Sequence, residues 1–126
     1  MKLLFSSLLF LGFFLSSNAQ NECDPVWVEY GTYKNDDQIA LEALAEPMEL
    51  NVKGENCDWK FEIIHYEVSI NNEVIGENTS GEMPPKVLKK LKKADSQDAI
   101  IFSEIEVKVL DFNKTTTLSA IRIFVQ

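Results

Sequence analysis

DWKFEIIHYEVSINNEVIGE, residues 58–77, decides the fold. It is dense in aromatic and β-branched side chains, the types that suit a pleated, half-buried surface. Trp59, Phe61 and Ile63 alternate on one face; Ile64, Tyr66, Val68 and Ile70 then alternate on the other. Period two is the signature of a strand. The phase change at Ile63–Ile64 requires either a bulge or a strand covered on both faces. Asn71-Asn72 follows as a turn, because asparagine tolerates positive φ better than most residues.

Working outward, SGEMPPKVLKKLKKAD (80–95) changes period. Pro84 and Pro85 suit a helix entry, where the missing N–H costs little. Val87, Leu88, Leu91 and Ala94 form one apolar stripe at helical spacing. Lys86, Lys89, Lys90, Lys92 and Lys93 cover the rest, and those in the last turn complement the negative end of the helix dipole. AIIFSEIEVKVLD (99–111) returns to period two, with Ile101, Ile105, Val107 and Val109 expected on one face and Glu104, Glu106 and Lys108 on the other. Asp111 to Lys114 is a turn. TTTLSAIRIFV (115–125) closes the pattern with Ile121, Ile123 and Val125 opposite Arg122.

The run FEIIHYEVSIN, a helix beginning near a proline, IIFSEIEVKVLD, a turn and TTLSAIRIFV resembles the C-terminal domain of GldM, a gliding-motility and secretion-motor protein of Bacteroidota. The resemblance covers 67 of the 107 residues that follow position 19. It lies in the order of elements and the hydrophobic spacing. Asp95-Ser96-Gln97-Asp98 stands where the family has Gly-Asp, and Asp111-Phe112-Asn113 where it has Asp-Gly. Asn113 is expected to take the left-handed conformation in place of glycine. The resemblance implies an envelope-associated protein, accessory to a secretion or motility machine.

Residues 1–19 read as a signal peptide: Lys2, an apolar core from Leu3 to Leu15, and Ser17-Asn18-Ala19 as the cleavage pattern. Cleavage is expected after Ala19, leaving an exported protein, periplasmic or secreted, with no membrane span. Glu22 argues against lipid attachment at Cys23. Residues 20–58 are expected to wrap the core and 59–126 to form the GldM-like β domain. Within the first, Val26 to Tyr30 is a strand. Asn35-Asp36-Asp37-Gln38 has the form of a capping box for a helix over about 36–46, ended by Pro47. Met48 to Lys53 is a further strand. The fold class is therefore mainly β: a small immunoglobulin-like sandwich, one crossover helix at about 85–94, and the second short helix.

The chain carries 12 basic and 20 acidic residues, a formal net charge of −8. That balance opposes nucleic-acid binding, whose phosphates need a positive surface. Five of the basic residues lie between Lys86 and Lys93. A charge run is usually a solvated face; the functional reading of this one is a docking ridge for an acidic partner or an anionic envelope component. Cys23 and Cys57 form an even pair in an exported chain, which favours a disulfide. Its 35-residue loop would contribute about 3.5–4 kcal/mol by chain entropy.

No chemistry-bearing constellation stands out. His65 lies mid-strand, and no nucleophile elbow surrounds Ser69 or Ser103. Asp36-Asp37 and Asp95/Asp98 lack the spacing of a calcium loop. Trp27, Trp59, Phe61 and Tyr66 share strands with apolar residues and are expected in the core. The expectation is a non-enzymatic protein-interaction module without cofactor or metal, gripping through Lys86–Lys93 or an exposed strand edge. The alternatives are an exported small-ligand binder or inhibitor using loops 31–38 and 95–98, and a small hydrolase dependent on His65.

Overall fold

A computed structural model describes residues 23–56 and 58–126. The signal segment 1–19 and Cys57, with the expected Cys23–Cys57 bond, lie outside the described residues. Contacts divide the chain into two units. One takes in Gly54–Asp58 and the residues up to Pro25; in it Glu55 N–H donates to Pro25 O at 3.1 Å. The other, Val26–Lys53 with Trp59–Gln126, carries the core.

The described residues are mainly β, with eight strands in two open sheets and two short helices. In chain order these are β1 (Val26–Tyr30), β2 (Gln38–Ile39), α1 (Leu41–Leu44), β3 (Leu50–Gly54), β4 (Phe61–Ile70), β5 (Glu73–Asn78), α2 (Pro85–Leu91), β6 (Ala99–Val109), β7 (Lys114–Leu118) and β8 (Ile121–Val125). β1 and β3 form a two-stranded sheet. The six-stranded sheet runs β2-β8-β6-β4-β5, with β7 also on β6. Val28, Tyr30 and Leu50 of the small sheet share a buried core with Tyr66, Phe102 and Ile123 of the large one. The Tyr30 and Phe102 rings lie 4.8 Å apart.

The phase change in β4 is a bulge. Ile63 is buried before it and Tyr66 and Val68 after it. The β4–β6 register shifts by one at His65↔Glu106 and returns at Glu67↔Ser103. β6 changes phase at the same level: Ile100 and Phe102 point inward, then Ile105, Val107 and Val109. This corrects the expected face, which put Ile101 with Ile105. Glu104 absorbs the extra residue with φ of 50°. β7 and β8 continue one register along β6, Ile105↔Leu118 and Phe102↔Ile121, interrupted at Ser119–Ala120. Three neighbouring strands thus each insert a residue at one level. The sheet bends there, and its apolar set stays inward on both sides of the bend.

The two helices follow different causes. α2 starts at Pro85 as its sequence dictates, and Val87, Leu91 and Ala94 are buried. It ends at Leu91, three residues earlier than expected. The expected helix over 36–46 shrinks to Leu41–Leu44. Gln38 and Ile39 pair in parallel with Phe124 and Val125 instead. Asn35 does not cap a helix: its Oδ1 accepts Arg122 N–H at 2.8 Å. Tertiary pairing outweighs the local capping signal. The Asn71-Asn72 turn has φ of 50° and 72°, the primed geometry that suits strand twist, and Asn113 is left-handed at 53°.

Tyr30 is 1 % exposed; its hydroxyl makes no hydrogen bond of ordinary geometry among the described residues, and the nearby Met48 backbone acts only to hold its pKa back. Burial is the main reason its pKa is pushed up to about 12. An unpaired buried hydroxyl costs about 1–3 kcal/mol. Tyr30→Phe should therefore keep or raise the denaturant midpoint, by up to about 1 kcal/mol; a loss of more than that would show the hydroxyl to be paired. Glu104→Gly should be close to neutral, because glycine takes positive φ without steric cost. Glu106→Gly, in ordinary strand geometry, should cost about 1 kcal/mol. Equal losses in urea unfolding would refute the strain assigned to Glu104.

Candidate functional site

α2 lies against β5, seated by a close approach: a Cβ on Gly76 would collide with Val87 Cγ2. Burial of Val87 and Leu91 fixes which way the helix turns its remaining positions. Lys86, Lys89, Lys90 and Lys93 stand at i, i+3, i+4 and i+7, one continuous stripe. Lys92 lies on the other flank, beside half-buried Leu88. All five ammonium-bearing residues are exposed. Lys90 Nζ donates to Ile75 O at 3.1 Å, tying the ridge to β5. Among the described residues the only ion pairs are His65–Glu77 and Arg122–Asp36. None of the five lysines makes an ion pair among the described residues. The structure leaves all five sequence-selected lysines exposed, three on α2 and Lys92 and Lys93 just past its end.

His65 sits at the bulge, where the inserted residue turns its ring toward the outer face. Nδ1 lies 3.0 Å from Glu104 O and Nε2 3.0 Å from Glu77 Oε1. With Glu77 accepting at Nε2, the protonated ring satisfies both partners at once. The Glu77 carboxylate, then the Glu104 carbonyl, raise the His65 pKa, and nearby Glu106 adds to the shift. Both ring nitrogens are thus directed to acceptors, in the manner of a charge clamp across β4, β5 and β6.

The two acidic pairs are absorbed into the scaffold. Asp36 Oδ1 takes Arg122 Nη2 at 3.1 Å, and Asp37 Oδ2 accepts Lys34 N–H at 2.8 Å. Asp98 accepts Asp95 N–H and the Asn71 amide, both at 2.8 Å. These donors, the backbone one first, hold the Asp98 carboxyl below its usual range. Among the described residues no group of three His, Cys, Asp or Glu is placed to hold a metal.

One surface escaped the sequence reading. Of the four aromatics expected in the core, Tyr66 is there, but Trp27, Trp59 and Phe61 are only half-buried. Trp59 meets the exposed Phe112 edge-on at 4.9 Å and Phe61 at 6.4 Å. Trp59, Phe61 and Ile63 form one wall of an open groove of about 370 Å³, and Glu49 to Lys53 of the β3 segment form the other. Alternation alone cannot separate a core aromatic from one at a strand end. The signal was Phe112, an aromatic placed in a turn where nothing in the core requires it.

No model of a known protein family matches this chain, and no match to it is found among the curated proteins.

The His65 clamp fixes a pH dependence. A raised folded-state pKa contributes stability that is complete below the unfolded value of 6.5 and is lost as pH rises through the folded value. The melting temperature should therefore fall by a small step as pH rises above neutrality. The step should shrink in high salt, since Glu77 is 70 % exposed. Thermal melts of wild type and Glu77→Gln from pH 5.5 to 9 check this; identical profiles would remove the clamp.

Proposed function

We propose that this protein is a non-enzymatic interaction module of the bacterial cell envelope, exported by residues 1–19, which grips an acidic protein surface through Lys86, Lys89, Lys90, Lys92 and Lys93. The single observation that carries this reading is the unpaired lysine ridge on a chain of net charge −8. Among the described residues none of the five is in an ion pair. Such a ridge orients and attracts a partner of opposite sign while the acidic remainder repels it in other orientations. The helix under the ridge is packed through Val87 and Leu91, so little ordering cost is left for binding.

The finer architecture belongs to the same proposal. The order strand, hairpin, helix, strand, turn, strand over 61–125 supports an immunoglobulin-like sandwich related to the GldM C-terminal domain, with β1 and β3 as the second layer. The resemblance supports a partner in the envelope, alongside a secretion or motility machine. A Cys23–Cys57 bond is part of the proposal, as the covalent closure of the first unit in an oxidising compartment.

The probe is immobilised poly-L-glutamate. Wild type should be retained at 50 mM salt and released near 300 mM, because exposed charges are screened. Lys89→Glu/Lys90→Glu/Lys93→Glu should lose retention, while Lys34→Glu/Lys114→Glu should keep it. Equal retention of both variants would eliminate the ridge as the contact surface.

A further inference from the structure

The turn between β6 and β7 carries apolar side chains that the core does not use. Val109 is the last inward residue of β6, and it pairs with Lys114 of β7. Leu110, Asp111, Phe112 and Asn113 lie past that pair, as the tip of the hairpin. Four large hydrophobic residues are exposed among the described residues: Leu41, Val74, Leu110 and Phe112. Two of the four share this tip, Leu110 at 46 % and Phe112 at 51 %. Trp59 stands edge-on to Phe112 at 4.9 Å, so the half-buried indole extends the apolar surface of the tip.

The amides of both apolar residues are already bonded. Leu110 N–H donates to Lys60 O at 2.9 Å, and Phe112 N–H to Val109 O at 3.2 Å. Asp111 sits between them in sequence, but its Oδ1 turns back to accept Lys60 N–H at 2.7 Å. The tip is thus tied to the entry of β4 through both backbone groups of Lys60. An apolar phase admits a backbone only when its polar groups are satisfied internally, and these two amides meet that condition.

Charge and size select the occupant. Over 58–62 and 108–114, Lys60, Lys108 and Lys114 stand against Asp58, Glu62 and Asp111, a balance of zero on a chain of −8. The tip is a neutral point on an acidic body, one that surface phosphates do not repel. None of the three lysines makes an ion pair among the described residues. Their long stems let the ammonium groups reach phosphates beside an apolar layer. A stable protein interface takes about 20–30 residues from each side, and a four-residue tip with Trp59 falls far short of that. A lipid surface needs no matching area, because each apolar group that enters it contributes separately. An indole beside the tip suits the headgroup level.

We propose that the Leu110–Asn113 tip, with Trp59, dips into the headgroup region of a lipid bilayer and holds the protein there weakly and reversibly. This contact goes beyond the lysine ridge and does not rest on it, so its failure leaves the ridge untouched.

The test uses residues 20–126, which contain every described residue, so that the apolar segment 1–19 does not itself bind lipid. The probe is vesicles of zwitterionic phosphatidylcholine, which offer the ridge no net charge. Wild type should float with the vesicles at millimolar lipid. Leu110→Ser/Phe112→Ser should weaken flotation at least about tenfold, the size expected when two half-exposed apolar side chains no longer enter the lipid. Leu41→Ser/Val74→Ser, at similarly exposed positions elsewhere, should float like wild type. In bicelles of the same lipid carrying a nitroxide lipid, the amide NMR signals of Leu110, Asp111 and Phe112 should broaden most. Equal loss in both double variants, or broadening centred on α2, overturns the proposal. Absence of flotation at millimolar lipid overturns it too, and leaves a protein pocket as the destination of the tip.

Discussion

Everything in the large sheet depends on keeping its apolar side chains in phase across a bend. A strand alternates faces without exception, so any extra residue turns the remainder of the strand over. Here the insertion at His65 in β4 is matched by Glu104 in β6 and by Ser119–Ala120 between β7 and β8. The three corrections act together. Ile63, Tyr66 and Val68 in one strand meet Phe102, Ile105 and Val107 in the next on the same side. The strain held at Glu104 is the local cost of that arrangement, on the order of 1–2 kcal/mol for a non-glycine residue in the left-handed region. It is offset by the burial of complete apolar faces above and below.

The bulge also explains the surface. By twisting His65 outward it brings the ring between the Glu104 carbonyl and the Glu77 carboxylate, so three strands are pinned at the bend by one side chain. Beyond the bend, β4 outruns its β5 partner, and its lower edge is left facing β3. α2 needs none of this. Its ridge is set by helical period and by Val87 and Leu91 alone, which is why its lysines could be selected directly from the sequence.

The parts legible in the sequence are those governed by local rules. β1 over Val26–Tyr30, the start of α2 at Pro85, the left-handed Asn71, Asn72 and Asn113, and the inward Ile121, Ile123 and Val125 all follow from period or turn chemistry. The β4 bulge was visible as a phase break, though only as one of two solutions. The break in β6 was hidden because Ile100 and Ile101 are adjacent and either could begin the inward set. The segment 36–40 misled because Asn35 and Gln38 satisfy a capping rule and a tertiary pairing equally well on paper. β8 decides between them, and β8 is far away in sequence. Of the candidate surfaces, the lysine ridge was readable. The groove was not, because a free edge exists only relative to the strand that fails to cover it.

The parallel pairing of β2 with β8 has a consequence for how the chain comes together in time. Asp36 and Arg122, 86 positions apart, are joined only when both flanking strands are present. During synthesis β2 waits as an unpaired ribbon while nearly all the intervening chain emerges, and loop closure over that span is slow to be rewarded. Intermediate lengths therefore stay open and threadable. The margin of the large sheet is zipped shut only when its distal strand arrives.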